Sequence, residues 1–396
     1  MKRIFAILTA LVLFVCLAIP AAAADTQIAK IKDATSANLK FKEDGTFKII
    51  QVSDTQEFFV SSTLTQDFLY DLAVKEKPDL FILTGDNISS GAAKSFPNFL
   101  AKAMIQTSID ALMCVFDRIY KEFGIPVTMV YGNHDNEIGQ DKVRRAEQFA
   151  MYEKHPSFIG YYIDEADKGT NDREGQHYGT HNLVVKDKTG TNPAVNLWMF
   201  DSGSYDADGD YSCVQPAQIA WFNRTHTANP LPSLAFQHII VKEIYDFIAK
   251  DAEGKYQLPA DTIGTLRENP CPGNSNHGLY TALCNAGTMA IFTGHDHVNT
   301  FEIIRPGTDL INTSCAGFGS YGDIDLRGAR VITLDESNLG TYDTELVTIQ
   351  GFYGPHFLYS GRLSMYQSMS VAGIITDWIS FKPLLWLLGL LGVTLA

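Results

Sequence analysis

Short apolar runs alternate along this chain with longer stretches of helical spacing. Residues 47–52, 80–84 and 127–131 read as strands, because each is a run of strand length bounded by polar or turn-forming residues. Residues 64–77 carry helical spacing and stop at Pro78. Residues 96–123 form a long amphipathic stretch closed by Gly124. Residues 183–185 and 196–200 predict a hairpin, and residues 216–227 a helix with Pro216 in its first turn, where proline is tolerated. Residues 234–236, 289–293 and 330–334 are further strands. The polar, irregular run 251–276 reads as a surface loop beside a site. There is no internal repeat and no low-complexity linker. Strands alternating with helices predict a layered α/β domain.

The bulk numbers narrow this further. A chain of 396 residues suits one large domain or two smaller ones, and 45% apolar residues supply a sizeable core. The net charge is −14, with no basic block. Binders of nucleic-acid backbones draw their affinity from Lys and Arg, so no nucleic-acid partner is expected.

Residues suited to metals and protons stand directly after five of the apolar runs. IIQVSDTQ ends in Asp54 and Gln56, and LFILTGDN in Asp86 and Asn87. VTMVYGNHD ends in Asn133, His134 and Asp135. SLAFQHI supplies His238, and MAIFTGHDH supplies His295, Asp296 and His297. In α/β sheets, ligands bind beyond the carboxyl ends of the strands. If these ends are neighbours, one crevice collects imidazoles, carboxylates and an amide. Carboxylates alone would repel one another. Mixed with imidazole and amide donors they make a shell for one or two dications. Gly85, Gly132 and Gly294 precede three of the clusters, where the backbone must turn sharply. Taken singly, Asp54 reads as a helix cap, GDN as a turn and His238 as a core histidine. GNHD and GHDH have no packing rationale, and the ordered set points to a metal centre. His177 and His181 in GQHYGTH line the pocket or lie on a surface loop.

The termini and cysteines add context. Lys2 and Arg3, an apolar stretch over 4–19, Pro20 and an A-x-A pattern before Asp25 read as a secretory signal over residues 1–24. An uncleaved anchor is the alternative, disfavoured because the apolar stretch is short for a bilayer. Removing the segment leaves a more acidic chain, exported as a secreted, periplasmic or cell-surface protein. Cys16 follows Val15, which disfavours lipid modification. Cys114, Cys213, Cys271, Cys284 and Cys315 remain, with no C-x-x-C pair, so a zinc knuckle is not supported. Cys271 and Cys284 are the nearest pair for a disulfide; buried free thiols are at least as expected. Residues 384–396 are almost wholly apolar but fall short of the roughly 20 residues that span a bilayer. They can pack on the domain or touch a membrane. Asn223-Arg224-Thr225 is a glycosylation sequon.

The order D-x-Q, GDN, GNHD, H, GHDH resembles the calcineurin-like metallophosphoesterase superfamily, over residues 47–334. FDSGSY at 200–205, Gln218 with Trp221, GLYTAL at 278–283 and GFGSYG at 317–322 are similar to a branch near the small purple-acid-phosphatase-like proteins. The resemblance implies a four-layer αββα sandwich: two mixed β-sheets flanked by helices, within a domain over 25–350 followed by a tail over 351–396. It implies hydrolysis of phosphate esters with two divalent metal ions, drawn from Mn, Fe, Zn or Mg. Asp54 and His297 would hold the first metal, Asp86 would bridge, and Asn133, His238 and His295 would hold the second. His134 would act as general acid, oriented by Asp135. Two positions depart from the family. Gln56 stands where a histidine is usual, offering a neutral oxygen and favouring harder ions such as Mn²⁺ or Mg²⁺. Ser89 stands where purple phosphatases carry a tyrosine, so neither purple colour nor an Fe³⁺ preference is expected. The substrate would be a small phosphorylated molecule or a phosphoprotein, with monoester, diester and nucleotide chemistry all open. A scaffold that keeps the fold without turnover is the competing reading, and Gln56 is the feature that favours it.

Overall fold

The predicted strands appear at the expected positions and assemble into two sheets. The structure, a computed structural model, describes residues 38–58, 62–163, 167–169, 174–354, 361–363 and 366. The signal segment 1–24 and the apolar end 384–396 lie outside these residues. One sheet has the order β13-β12-β1-β2-β3. Its strands are β1 (Thr46–Val52), β2 (Leu80–Thr84), β3 (Val127–Val130), β12 (Gly328–Asp335) and β13 (Asp343–Thr348). The central strands β1, β2 and β3 are parallel, whereas β12 pairs antiparallel with β1 and β13. The other sheet has the order β10-β11-β9-β6-β5-β4. It contains β4 (His181–Lys186), β5 (Pro193–Phe200), β6 (Ser233–Gln237), β9 (Thr288–Thr293), β10 (Glu302–Ile303) and β11 (Asp309–Asn312). Strands β5, β6, β9 and β11 run parallel, and the expected hairpin is the antiparallel pair β4–β5. The loop 251–276 contains half of a small hairpin, β7 (Ala249–Lys250) with β8 (Tyr256–Gln257).

Alternation along the strands builds the layers. Side chains of a strand point to opposite faces in turn, so a strand buried on both faces reads as a continuous apolar run. Ile49, Leu80, Ile82 and Val130 of one sheet meet Leu197, Leu234, Phe236 and Phe292 of the other in a shared core. Their neighbours Ile50, Phe81, Leu83 and Met129 face outward, into helices α1 (Thr63–Glu76), α2 (Asn98–Phe123) and α3 (Arg145–Tyr152). Trp198, Phe200 and Ala235 face the opposite way, toward α4 (Pro216–Ala228) and α6 (Leu279–Asn285). Trp198 sits edge-on to Trp221 and Phe222, with centroids 5.6 and 4.8 Å away. The architecture is therefore helices, sheet, sheet, helices. The short α5 (Ile244–Phe247) and α7 (Ile349–Tyr353) complete the described helices longer than a 3-10 turn.

Local chemistry ends the helices where the sequence says they should end. The Ser62 hydroxyl accepts from Thr65 N at 3.2 Å and caps α1. Lys77 closes the same helix in the left-handed region, ahead of Pro78. Gly124 closes α2 with φ 74°. Gln215 and Gln218 form a capping box around Pro216. Among the described residues past 350, Arg362 donates to Asp67 at 2.9 Å, and Leu363 and Tyr366 join the core under α1.

All five cysteines of the described domain are free thiols, so the 271–284 disulfide does not form. Cys315 is buried, but Cys114 and Cys271 are exposed, which corrects the expectation of buried thiols. His177 and His181 are neither on a surface loop nor at the pocket. Both are buried; His181 meets the Thr128 hydroxyl at 2.8 Å, and His177 packs on Tyr178.

Candidate metal centre

The parallel strands of both sheets end at one edge of the sandwich, and the loops that leave them interlock. Asp54 N donates to Gly85 O at 3.1 Å and Gln56 N to Asp86 O at 2.8 Å, which binds the loop after β1 to the loop after β2. Gly294 N donates to His238 O at 3.1 Å, joining the loops after β9 and β6. Ala316 N donates to Ser53 O at 2.9 Å and ties the two sheets together. The turns are tight. Among the described non-glycine residues, five have positive φ, and four of them are Asp54 (54°), Gln56 (44°), Asp86 (49°) and His295 (70°). Such strain persists only where the surroundings hold it, and it gathers at functional sites.

Glycine is required at these turns for space. A Cβ on Gly132 would lie 2.3 Å from both Asp86 N and Asp86 Oδ1, and 2.8 Å from His238 Cδ2. On Gly294 it would lie 1.7 Å from Ser53 Oγ.

The side chains converge as two clusters that share one carboxylate. Asp86, His238 and His295 form one, and Asp54, Asp86 and His297 the other, with the ligand atoms of each within 4.8 Å of one another. His238 Nε2 lies 3.3 Å from Asp86 Oδ2 and 3.2 Å from Asn133 Oδ1. His297 Nε2 lies 3.3 Å from Asp54 Oδ1. The outer nitrogens are held by backbone: His238 Nδ1 by Thr84 O and His297 Nδ1 by Tyr321 O, each at 2.8 Å. That support fixes each tautomer and turns Nε2 inward. Tyr321 also stacks on the His297 ring at 4.2 Å. Asp54 Oδ1 is buried with no donor in hydrogen-bond geometry, its charge met by His297 Nε2 at 3.3 Å, a costly state that a bound cation relieves. Buried carboxylate, imidazole and amide donors, with an orphaned oxygen among them, fit a pair of cations.

The charges respond to this crowding. Burial works against ionising Asp86 and Asp54, yet neighbouring His238, with His297 beside Asp54, holds both carboxyls below their ordinary range. Burial also opposes charge on His238, but Asp86 and Asp54 push it up to about 9. His295 is driven down to about 3 by burial and by the His238 charge. The metal-free centre thus carries protons where cations would sit, so metal binding releases protons.

Gln56 is buried against the centre, but its Nε2 donates to Asp86 Oδ2 at 3.2 Å. Its oxygen therefore faces away from the shared carboxylate in this arrangement. His134 sits at the rim with its Nε2 3.8 Å from Asp86 Oδ2. Its expected partner requires correction. Asp135 accepts from Gly132 N at 2.8 Å, Ile88 N at 3.0 Å and Asn87 N at 3.2 Å, so its carboxylate is committed to backbone. The carboxylate that meets His134 Nδ1 is Glu137, at 2.9 Å. The turn His134–Asn136 is 3-10, which places residues three apart side by side. Asp296, between the two GHDH histidines, instead accepts from Cys271 N and Asn299 Nδ2, and burial pushes its carboxyl up to about 8.

Several residues at the centre carried no role in the sequence reading. Ser53 Oγ donates to Asp54 Oδ2 at 2.5 Å. The Tyr205 hydroxyl lies 3.5 Å from Asn133 Nδ2, and Tyr205 stacks on Tyr211, which meets His295 edge-on. Tyr205 and Tyr321 stood within FDSGSY and GFGSYG, so those motifs were the available signal. The polar loop 251–276 does border the site: Glu268 accepts from Val298 N and from the Tyr321 hydroxyl, while Arg267 clamps Asp323 and Asp325.

The sequence model of the calcineurin-like phosphoesterase family matches residues 47–299. "Probable inactive purple acid phosphatase 14" of Arabidopsis thaliana is 28% identical over 338 residues, covering 74% of this chain and 76% of that one. "Probable inactive purple acid phosphatase 29" of the same plant is 27% identical over 346 residues, covering 76% and 80%. Among solved structures, a dimetal phosphatase from Danio rerio aligns with TM-score 0.46 and 11% identity, over 76% of this chain and 99% of that one.

Proposed function

Since the chain belongs to the calcineurin-like phosphoesterase family, we propose that it hydrolyses phosphate esters at the centre built on Asp86. The observation that carries this reading is the sharing of Asp86 by two buried ligand clusters. Asp54, Asp86 and His297, with Gln56 beside them, would hold one cation. Asp86, Asn133, His238 and His295 would hold the other. When bound, two such cations neutralise the phosphate oxygens and lower the pKa of water so that hydroxide is available near neutral pH. The remaining tasks fall to the chain. Thr84 O and Tyr321 O orient the ligand imidazoles. His134, half-buried at the rim with Nε2 toward Asp86, donates a proton to the departing oxygen, a step worth about 10² to 10⁴ in rate. The substrate is a small phosphorylated molecule or a phosphoprotein.

The test is hydrolysis of p-nitrophenyl phosphate and of its bis-ester after chelation and reloading with Mn²⁺, alongside metal analysis. Two metals per chain and turnover of either substrate support the proposal. Two bound metals without turnover of either would sink it. Two observations favour a second reading, a metal-binding scaffold without turnover. Gln56 offers its amide nitrogen to Asp86, and the Arabidopsis relatives are named as probable inactive phosphatases.

A further inference from the structure

We infer that Glu137 is the positioning residue of His134, fixing which ring nitrogen faces the reacting ester; this rests on the hydrolytic reading above. The backbone of His134 is pinned on both sides. Its N–H donates to Asp86 Oδ1 at 2.7 Å. Its carbonyl accepts from Ser90 N at 3.1 Å and Ser90 Oγ at 2.7 Å, and Ser90 Oγ in turn accepts from Ile138 N at 2.9 Å. The turn is therefore rigid, while the ring can still rotate about its side-chain bonds. Glu137 Oε1, 2.9 Å from Nδ1, stops that rotation. With Nδ1–H given to Glu137, Nε2 is the nitrogen left toward the Asp86 carboxylate. Asp135, the sequence neighbour, cannot do this because its two oxygens are filled by backbone donors.

A second feature supports the same role. The facing segment, the 3-10 turn Gly91–Ser95, opens with a glycine whose Cβ would come within 2.5 Å of Glu137 Oε2. Gly91 thus leaves the space in which the carboxylate lies. In the reaction, the oxygen of a hydroxide forms a bond to phosphorus while the phosphorus–oxygen bond to the leaving group breaks, and the electron pair of the broken bond stays on the departing oxygen. The oxygen takes the proton from His134 Nε2. Nδ1–H remains hydrogen-bonded to Glu137.

Two variants test this, Glu137→Ala, which removes the acceptor, and Gly91→Ala, which displaces the carboxylate without altering it. The first measurement is ¹⁵N-histidine NMR of the metal-free protein, with His134 assigned by His134→Gln. Wild type should show a protonated, hydrogen-bonded Nδ1, and both variants should lose that signature. The second is kcat with Mn²⁺ loaded. Phenyl phosphate turnover should fall about 10- to 100-fold, p-nitrophenyl phosphate turnover should fall less, and metal content should hold. An unchanged His134 signal in both variants overturns the inference, as does an equal loss on both esters. A wild-type protein that turns over neither ester defeats the hydrolytic reading, and the NMR result then decides Glu137 by itself.

Discussion

Replacing Gly132 with alanine tests the centre through one methyl group. The added carbon would stand 2.3 Å from the Asp86 amide nitrogen and 2.3 Å from its Oδ1, and 2.8 Å from His238 Cδ2. Carbon and these atoms sit at about 3.5 Å in ordinary contact, so something must move by roughly 1 Å. The atoms cannot all retreat. Asp86 N is backbone, Asp86 Oδ1 holds His134 N at 2.7 Å, and the His238 ring is fixed by Thr84 O. The shift therefore falls on the carboxylate common to both clusters. Overpacking of this kind costs about 1–3 kcal/mol, and a misplacement of about 1 Å at a reacting centre costs about 100-fold in rate. Three measurements apply: urea unfolding, metal stoichiometry after reloading with Mn²⁺, and hydrolysis of p-nitrophenyl phosphate. Gly340→Ala is the control, since its Cβ would meet nothing within 4 Å. A folded Gly132→Ala protein with two metals and wild-type turnover would refute the placement of Asp86 against this turn.

Asp86→Asn should fold but retain neither metal, because it removes the carboxylate belonging to both clusters; one metal retained at full affinity would show the clusters to be independent. His155 sits between Asp117 at 2.8 Å and Asp110 at 3.2 Å. Burial acts against its charge, but the hydrogen bonds its ring donates to Asp110 and Asp117 push it up to about 9. A histidine raised on folding stabilises fully below its unfolded value near 6.5 and loses that stabilisation as pH climbs through about 9. Asp110 is half-exposed, so the contribution is about 1–3 kcal/mol; the difference in unfolding free energy between wild type and His155→Gln should shrink from pH 6 to pH 10, and a difference flat across that range would contradict the pairing. Thiol labelling of the native protein should reach Cys114 quickly and Cys315 only on unfolding; slow labelling at Cys114 would contradict its exposed placement.

The ligand motifs were legible because each element announces itself locally. Strands buried on both faces leave runs such as LFILT and SLAFQ, and α1, α2 and α4 match the expected spans to within two residues. Strands β11 and β13 escaped notice for physical reasons. Asp309–Asn312 is only four residues long, and Asp343–Thr348 is an edge strand whose exposed face carries polar residues.

By itself, the chain determined which residues end the strands: the order of apolar runs, turn glycines and metal-binding side chains is a local property, written in consecutive positions. Tertiary structure alone decided which of those side chains meet. Asp86 became common to both clusters because the loops after strands of two different sheets interlock. His181, which spacing could not distinguish from a pocket residue, was drawn into the core against Thr128, 53 positions away. The partner of His134 turned on a single turn of backbone. A 3-10 turn set Glu137 beside the ring, while three backbone N–H groups from two loops claimed Asp135. The physical reason is the same in each case: a hydrogen bond needs direction and a distance near 3 Å, and those are properties of the folded backbone, which sequence neighbours do not share merely by being adjacent.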